Sequence, residues 1–286
     1  MAENLDGIRA VVVSHCNATT IVECLQRLLA ASGVAEVVVI DNGSDDGTVA
    51  LAMPFSESEP RVTLRVDPEN PGFASACNDG AMGCRQAWLA FVNPDCMVEP
   101  DTFARLLAHA NNVPKLGAFG CVQVDARGIE DAAVRRRDPS LRKILFAGGA
   151  RGALHVAGDG NAVQAVDALS GALLLVPTAV FEQVGGFDAD YRLHAEDLDL
   201  CRRVRAAGFA VCIANDVRVT HLRGVSSRRR PLWVEWQKHR GMWRYFRKFE
   251  AMQTSLPMRA LLWCALWMHY AIAVPRALMR SWFRSW

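Results

Sequence analysis

The sequence predicts an α/β fold, a mostly parallel sheet flanked by helices, with a C-terminal amphipathic helical tail. Three observations predict it. Short apolar runs rich in Val and Ile alternate with segments of helical periodicity. Several of these runs end abruptly on a polar or acidic residue. Beyond His221 the chain changes character and interleaves Trp with Arg. Strands covered on both faces read as unbroken apolar runs, and repeated strand–helix–strand units imply parallel pairing with right-handed crossovers.

RAVVVSH (9–15) and AEVVVID (35–41) are the first two expected strands. Between them TTIVECLQRLLAAS (19–32) carries apolar residues at helical spacing and stops before Gly33. RVTLRVD (61–67) reads as a third strand, FASACNDGAMGCRQA (73–87) as a helix and WLAFVN (88–93) as a fourth strand. A helix near 101–112 and a strand LGAFGCVQVD (116–125) follow. The polar ARGIEDAAVRRRDPS is expected as a mobile surface loop. GGARGALHVAGDGN (148–161) is Gly-rich but has neither GxGxxG nor GxxxxGK[ST], so a flexible connection is expected over a phosphate cradle. ALLLVP (172–177) resumes as a strand, and Pro177 suits the first turn of the helix TAVFEQV, which Gly185-Gly186 ends. EDLDLCRRVRAAG (196–208) is a further helix, and FAVCIA (209–214) and VRVTH (217–221) are further strands.

At 286 residues the chain suits one large domain plus an appendage, expected at 1–225 and 226–286. An apolar fraction of 51% with 22% charged residues excludes general disorder. Nine cysteines without CxxC or finger spacing, and a polar N-terminus in place of a secretory leader, lead us to expect reduced thiols and a cytoplasmic location. The net charge of +2 hides an asymmetry. From His221 onward there are thirteen of the 32 Lys/Arg and two of the 30 acids, a net +11. That leaves 19 basic and 28 acidic residues, or −9, for residues 1–220. Such a tail suits a soluble catalyst held at an anionic surface, and with no recognisable nucleic-acid motif, nucleic acid is not an expected partner. LLWCALWMHYAIAV (261–274) lies between Arg259 and Arg276. It is short of the roughly 20 residues of a spanning helix. Either a peripheral helix in the plane of a membrane or a helix packed on the body or on a second subunit, as in a homodimer, would suit it.

Three segments carry candidate chemistry. In VIDNGSDDGT (39–48), Asp41 closes a strand before the Asn42-Gly43 turn. It either caps that turn or accepts a hydrogen bond from a pyrimidine ring N–H. In NPDC (93–96), Pro94 holds Asn93 extended and stiffens the approach to Asp95. That carboxylate either caps a turn or, with substrate phosphate oxygens, holds Mg2+ or Mn2+. In LHAEDLDLCRRV (193–204), Glu196, Asp197 and Asp199 crowd a helix start, where carboxylates are favourable anyway. Asp199 can pair with Arg202 or Arg203 on the helix surface, which leaves Asp197 the freer candidate for a base. His221 is a core histidine or a metal ligand. Parallel sheets bind ligands beyond the carboxyl ends of their strands, where Asp41 and Asp95 both fall.

VVVSHCN, VVVIDNGSDDGT, NPGFASACNDG, WLAFVNPDCMVEP, ALSGALLLVPTAVFEQVGGFDADYRLHAEDLDLCRRVRAAG and VTHLRG occur in this order over roughly residues 8–225. Together they resemble family 2 glycosyltransferases of the GT-A fold, in particular the bacterial rhamnosyltransferase-like branch, and RYFRKF is similar to that branch's basic tail. The resemblance implies a GT-A (Rossmann-like) sheet and an inverting hexosyl transfer assisted by Mg2+ or Mn2+. It implies that Asp41 binds the nucleobase and that Ser14, Asn17, Asn70, Gly72, Phe73 and Asn78 shape the nucleotide-sugar pocket. Asp95 would be the aspartate of the DxD-type motif, with His221 a further ligand to metal or diphosphate. Asp197, in the xED motif, would be the general base, with Gly171 and Glu196 on the acceptor side. Two positions depart from the pattern. Asn93 stands where many relatives have a first Asp, and His15-Cys16 replace the more usual Ser/Thr-Tyr pair, which leaves the base-stacking contact and the donor open. The donor implied is dTDP-L-rhamnose, with a galactofuranosyl or other hexosyl UDP-sugar the alternative. The acceptor implied is a cell-surface saccharide or polyprenyl-linked glycan at the inner face of the bacterial cytoplasmic membrane. A non-catalytic sugar-nucleotide-binding scaffold is a further class. A nucleotidyltransferase is disfavoured, because no GxGxRxxP-like loop lies near the N-terminus.

Overall fold

Strand β1 (Ile8–Ser14) is buried along its whole length and divides its side chains between two cores. Ile8, Ala10 and Val12 join one, Val11 and Val13 the other. Strand β2 (Val34–Asp41) does the same, with Val37 and Val39 set against Val38 and Ile40. This two-sided burial is why both runs lack polar alternation. The computed structural model describes residues 7–146, 154–222 and 231–282.

In chain order the elements after β1 are α1 (Ile21–Ala30), β2, α2 (Thr48–Ser58), β3 (Val62–Val66), α3 (Phe73–Ala81), β4 (Trp88–Val92), β5 (Cys96–Met97), α4 (Thr102–Ala110) and β6 (Leu116–Val124). There follow β7 (Arg135–Arg136), α5 (Leu141–Phe146), β8 (Val163–Ala165), β9 (Ala168–Leu169), β10 (Leu173–Pro177), α6 (Thr178–Gln183), α7 (Glu196–Ala206), β11 (Ala210–His221), α8 (Pro231–Phe249) and α9 (Leu256–Trp282). The main sheet has the order β3-β2-β1-β4-β10-β6-β11-β5, with β8 also paired to β11. Helices α1 and α4 cover one face through Leu25, Leu28, Phe103 and Leu106, and α3 and α7 cover the other through Ala74, Cys77, Leu200 and Cys201. Phe91 stands at the centre of the second core, 5.0 Å from the Phe181 ring and 4.9 Å from the Phe187 ring. Truncating such a side chain costs about 3–5 kcal/mol.

The structure departs from the expectations at several places, each with a local cause. The sheet is mixed, because β10 runs antiparallel to both β4 and β6. Helix α3 stops at Ala81, short of the expected residue 87. Met82 there takes ψ 130 and Gly83 the left-handed φ of +64, which releases the chain into β4. The two strands expected over 209–221 are one strand, β11, whose register against β6 slips between Ala214 and Arg218. Asn215 fills the slip, accepting from Arg135 Nε at 2.8 Å and donating to Asn161 O at 2.8 Å. The expected mobile loop over the Arg135–Arg137 run is pinned as β7, which pairs Arg135 with Leu169 and Arg136 with Ala168. Of the Gly-rich stretch, residues 148–153 lie outside the described residues, and His155 bridges back to Arg136. All nine cysteines are free.

Asp199 is fully buried rather than on the helix surface, and is neutralised by Arg203 and by Lys248, whose Nζ lies 2.7 Å from its Oδ2. Lys248 also reaches Asp188 at 2.8 Å, and Arg244 donates to the same carboxylate through both Nε and Nη2. These contacts hold Asp188 below the usual carboxylate range despite the burial that opposes it. Two cations of RYFRKF are therefore spent on the body, not left for an outside surface, and Tyr245 enters the second core beside them. Helix α9 packs on α5 and α8 through Leu262 and Leu266 against Leu141 and Phe246. Its other side leaves Leu261, Met268, Ile272 and Met279 exposed. No helix among the described residues is long and apolar enough to cross a membrane.

Candidate active site

The carboxyl ends of β1, β2, β4 and β11 finish at one sheet edge, where the start of the reversed β10 meets them. A cavity of about 320 Å3 opens there. Of the residues expected in a nucleotide-sugar pocket, Ser14, Asn17, Asn70, Gly72, Phe73, Asp95 and His221 line it, together with His15, Arg192, His194 and Trp233. Asp41, Asn78, Gly171, Glu196 and Asp197 are not on its wall.

Asp95 and His221 face each other across the mouth. The short strand β5 pairs antiparallel with the end of β11, matching Cys96 to His221, and Leu222 N donates to Asp95 O at 2.9 Å. This register brings His221 Nε2 to 3.2 Å from Asp95 Oδ1. The other ring nitrogen, Nδ1, is buried without a protein partner. Two cis ligands at about 2.1 Å from an octahedral cation lie about 3 Å apart, so this pair fits a divalent ion completed by phosphate oxygens and water. Among the described residues, no cluster of three or more His, Cys, Asp or Glu offers a fuller protein cage.

Asp41 lies beneath the cavity floor, fully buried. Its Oδ1 accepts Ser44 N–H at 2.8 Å, and its Oδ2 accepts Ser14 Oγ at 2.7 Å and Ser44 Oγ at 2.6 Å. It acts here as the cap of the β2 turn and ties that turn to the end of β1. His15 stands on the wall instead, and its Nδ1–H donates to Asn42 O at 2.8 Å. The opposite wall is a strap between two loops. Gly72 has φ +104, and a Cβ on it would sit 2.7 Å from Arg192 Cα and O. Only glycine permits that approach. Phe73 N donates to Arg192 O at 2.9 Å, and Arg192 Nη2 donates to Asn70 O at 2.8 Å. Asn78 serves a different loop, clamping Phe187 through both its N–H and its C=O at 2.8 Å.

Asp197 lies behind the cavity, linked to it by backbone. Asn93 N donates to Ala172 O at 2.8 Å, and the adjacent Gly171 N donates to Asp197 Oδ2 at 3.0 Å. The same oxygen accepts Arg136 Nη2 at 2.5 Å, while Oδ1 accepts Leu198 N–H at 2.8 Å. The approach to this helix start is strained, with His194 at φ +68 and Ala195 at φ +72. Each such residue costs of order 1–3 kcal/mol and persists only where its surroundings impose it. Here α8 imposes it, since Gly241 comes so close that a Cβ would lie 2.8 Å from His194 O. Burial, reinforced by the Lys238 charge, pushes the His194 imidazole down to about 4. Burial, reinforced by the Asp197 charge, pushes the Glu196 carboxyl up to about 8. Arg136, Arg192, His194 and Trp233 escaped the sequence reading. The nearest signal was the unexplained Arg run at 135–137, whose partners are distant in the chain.

The mixed sheet flanked by helices, with its cavity at the carboxyl edge, is that of a GT-A fold. The family model described as "Glycosyl transferase family 2" matches residues 10–169, and the chain belongs to that family; the protein is a glycosyltransferase. Over 236 residues it is 30% identical to the N-acetylglucosaminyl-diphospho-decaprenol L-rhamnosyltransferase of Mycobacterium tuberculosis, spanning 72% of this chain and 74% of that protein. In fold it is similar to the mannosyltransferase PcManGT from Pyrobaculum calidifontis, solved with GDP-Man and Mn2+, with a TM-score of 0.61 at 20% identity over 95% of this chain and 73% of that one. S. aureus TarS 1-349 in complex with UDP-GlcNAc gives a TM-score of 0.54 at 15% identity, over 81% of this chain and 66% of that one.

Glu196 keeps its proton to about pH 8 when folded, against an ordinary value of 4.5. Between those limits the folded chain binds more protons than the unfolded one, so this group makes stability fall as pH rises. Glu196→Gln is expected to flatten that fall. Melting curves of both proteins at intervals from about pH 5 to about pH 8 check it; parallel pH dependences would show that Glu196 does not titrate in this way.

Proposed function

We propose that the protein transfers L-rhamnose, with inversion, from dTDP-L-rhamnose to a hydroxyl of a polyprenyl-diphosphate-linked saccharide at the inner face of a bacterial cytoplasmic membrane. Asp95 and His221 would hold the assisting Mg2+ or Mn2+. The observation that carries the reading is the facing of these two side chains at 3.2 Å on the mouth of the cavity. The donor and acceptor are supported by the relative named as a rhamnosyltransferase acting on a diphospho-decaprenol, and the cation by the neighbour solved with Mn2+.

Ser14, Asn17, Asn70 and Phe73 would bind the nucleotide, with His15 as the ring beside the base. When bound, the cation would offset the charge that accumulates on the departing diphosphate. Asp197 would accept the proton of the acceptor hydroxyl. That oxygen's electron pair then forms the bond to the anomeric carbon, from the side opposite the leaving group. The bond from that carbon to the phosphate oxygen breaks, and its electron pair leaves with the nucleoside diphosphate. One carboxylate suffices, with no covalent sugar–enzyme intermediate. Glu196, which holds its own proton to about pH 8, is unsuited to the task at neutral pH.

The exposed Leu261, Met268, Ile272 and Met279 lie along one stripe of α9 and suit an interfacial helix, with exposed Leu232 and Trp236 of α8 close in sequence to the cavity residues Trp233 and Val234. Asp197→Asn is expected to lower turnover by about 100- to 10,000-fold while donor binding survives. Release of nucleoside diphosphate together with donor calorimetry reads both, and normal turnover would remove Asp197 as the base. A panel of dTDP-L-rhamnose and UDP-hexoses, UDP-galactofuranose included, is expected to favour the rhamnosyl donor and to lose activity in EDTA. A preferred UDP-sugar would establish the alternative donor, and binding without product would establish a scaffold. Met268→Glu combined with Ile272→Glu is expected to weaken co-sedimentation with anionic vesicles; unchanged partitioning would point to packing between subunits.

A further inference from the structure

We propose that Arg136 is the binding residue for an anionic group on the acceptor, a phosphate or diphosphate close to the attacking hydroxyl, and that without acceptor it is parked on Asp197 and blocks it. The proposal rests on the reading of Asp197 as the base. As the side chains stand, that base is covered at the oxygen beside Gly171. Oδ1 is taken by Leu198 N–H, and Oδ2 by both Gly171 N–H and the guanidinium. A hydroxyl approaching Oδ2 finds both strong acceptor directions of that oxygen already in use. Departure of Arg136 during turnover would uncover that oxygen.

Its setting suits movement. Arg135, its neighbour, is fixed by Asn215 at 2.8 Å and by Glu130. Arg136 has the carboxylate and the Leu169 carbonyl, both on the same Nη2, and its Nε is buried with no partner. Its backbone is pinned on β7 by β9 and the bridge to His155, so only the side chain would swing.

Charge decides what can draw it away. The side chains of Arg136 and Asp197 are only 13% and 12% exposed, so separating them without a substitute strands two poorly hydrated charges. A neutral saccharide offers no substitute. A phosphate does, since the guanidinium fork matches its oxygens and its charge equals or exceeds that of the carboxylate. The anion belongs to the acceptor and not to the donor, because Arg136 is not on the wall of the cavity with Asp95 and His221 but meets Asp197 beside Gly171. Coupling the release of the base to a charged acceptor also keeps water from consuming the donor while no acceptor is bound.

The test uses the full chain, saturating donor and one saccharide in two forms, with a diphosphate ester and with a methyl group at the reducing end. Wild type is expected to favour the charged form by about 100-fold in kcat/KM, the scale set by loss of a desolvated charge pair. Equal use of both forms overturns the proposal without recourse to any variant. Arg136→Ala is expected to erase most of that preference through a raised KM for the charged acceptor, and to raise nucleoside diphosphate release without acceptor several-fold. Arg136→Lys should fall between the two. An equal fall in kcat on both forms with the preference intact would make Arg136 a static positioning residue, and a raised donor KM would move its anion to the donor; either overturns the proposal. Asp197→Asn is assayed alongside. Normal turnover there would sink the base reading, whereas the acceptor preference of wild type stands or falls by itself.

Discussion

Strand β10 runs against both of its neighbours, and the site depends on that reversal. Because Leu173 pairs with Val92 at the carboxyl end of β4, the residues just before β10 arrive at the edge where β1, β2 and β4 end. Ala172 there accepts the Asn93 N–H, and Gly171 donates to Asp197. A parallel strand of the same five residues would deliver its start to the far edge of the sheet, about 17 Å away at 3.3 Å per residue. The Asp95 side and the Asp197 side would then have no common backbone. Three consecutive residues, from Gly171 to Leu173, thus couple the two halves of the site.

The second constraint is ionic. An acidic body and a basic tail attract at long range, but position comes from a few desolvated contacts. Asp199, completely buried, needs both Arg203 and Lys248, and removing either partner would leave a buried charge short of compensation. Arg244 and Lys248 converge on Asp188, six residues before the strained His194–Ala195 pair. The same helix supplies Trp233 and Val234 to the cavity and presses Gly241 against His194 O. What composition describes as a basic tail is, over α8, a wall of the site and the clamp on its most strained loop.

Patterns that burial writes into the sequence were readable there. β1, β2 and β4 are largely apolar because both their faces are covered, and Asp95 was legible because it follows such a run, His221 because it closes a strand. Features set by pairing were not readable. ALLLVP has the same pattern in either direction, so the reversal of β10 is invisible in it. The strap between Gly72 and Arg192 joins residues whose closeness follows only from the folded loops, and nothing local separates Arg136 from the arginines on either side of it. Asp41 shows the opposite limit. Its place at the end of β2 was legible, but the bonds it makes to Ser14 and Ser44 follow from the folded turn and not from the run that precedes it.

The three carboxylates that open α7 show how one short motif is divided among different tasks. At 100° per residue, Glu196, Asp197 and Asp199 leave the helix in three directions, and each direction has a different environment. Glu196 turns into the apolar interior, where burial and the Asp197 charge make it keep its proton, and its own charge adds to the burial that raises the Cys77 thiol. Asp199 turns towards α8 and is matched by two cations. Asp197 alone turns towards the reversed strand, where a backbone N–H fixes it and Arg136 covers it. The helix N-terminus favours negative charge at all three positions alike. What separates them is the neighbour each rotation meets, so a shift of one residue in the start of α7 would exchange their roles without changing the composition of the site.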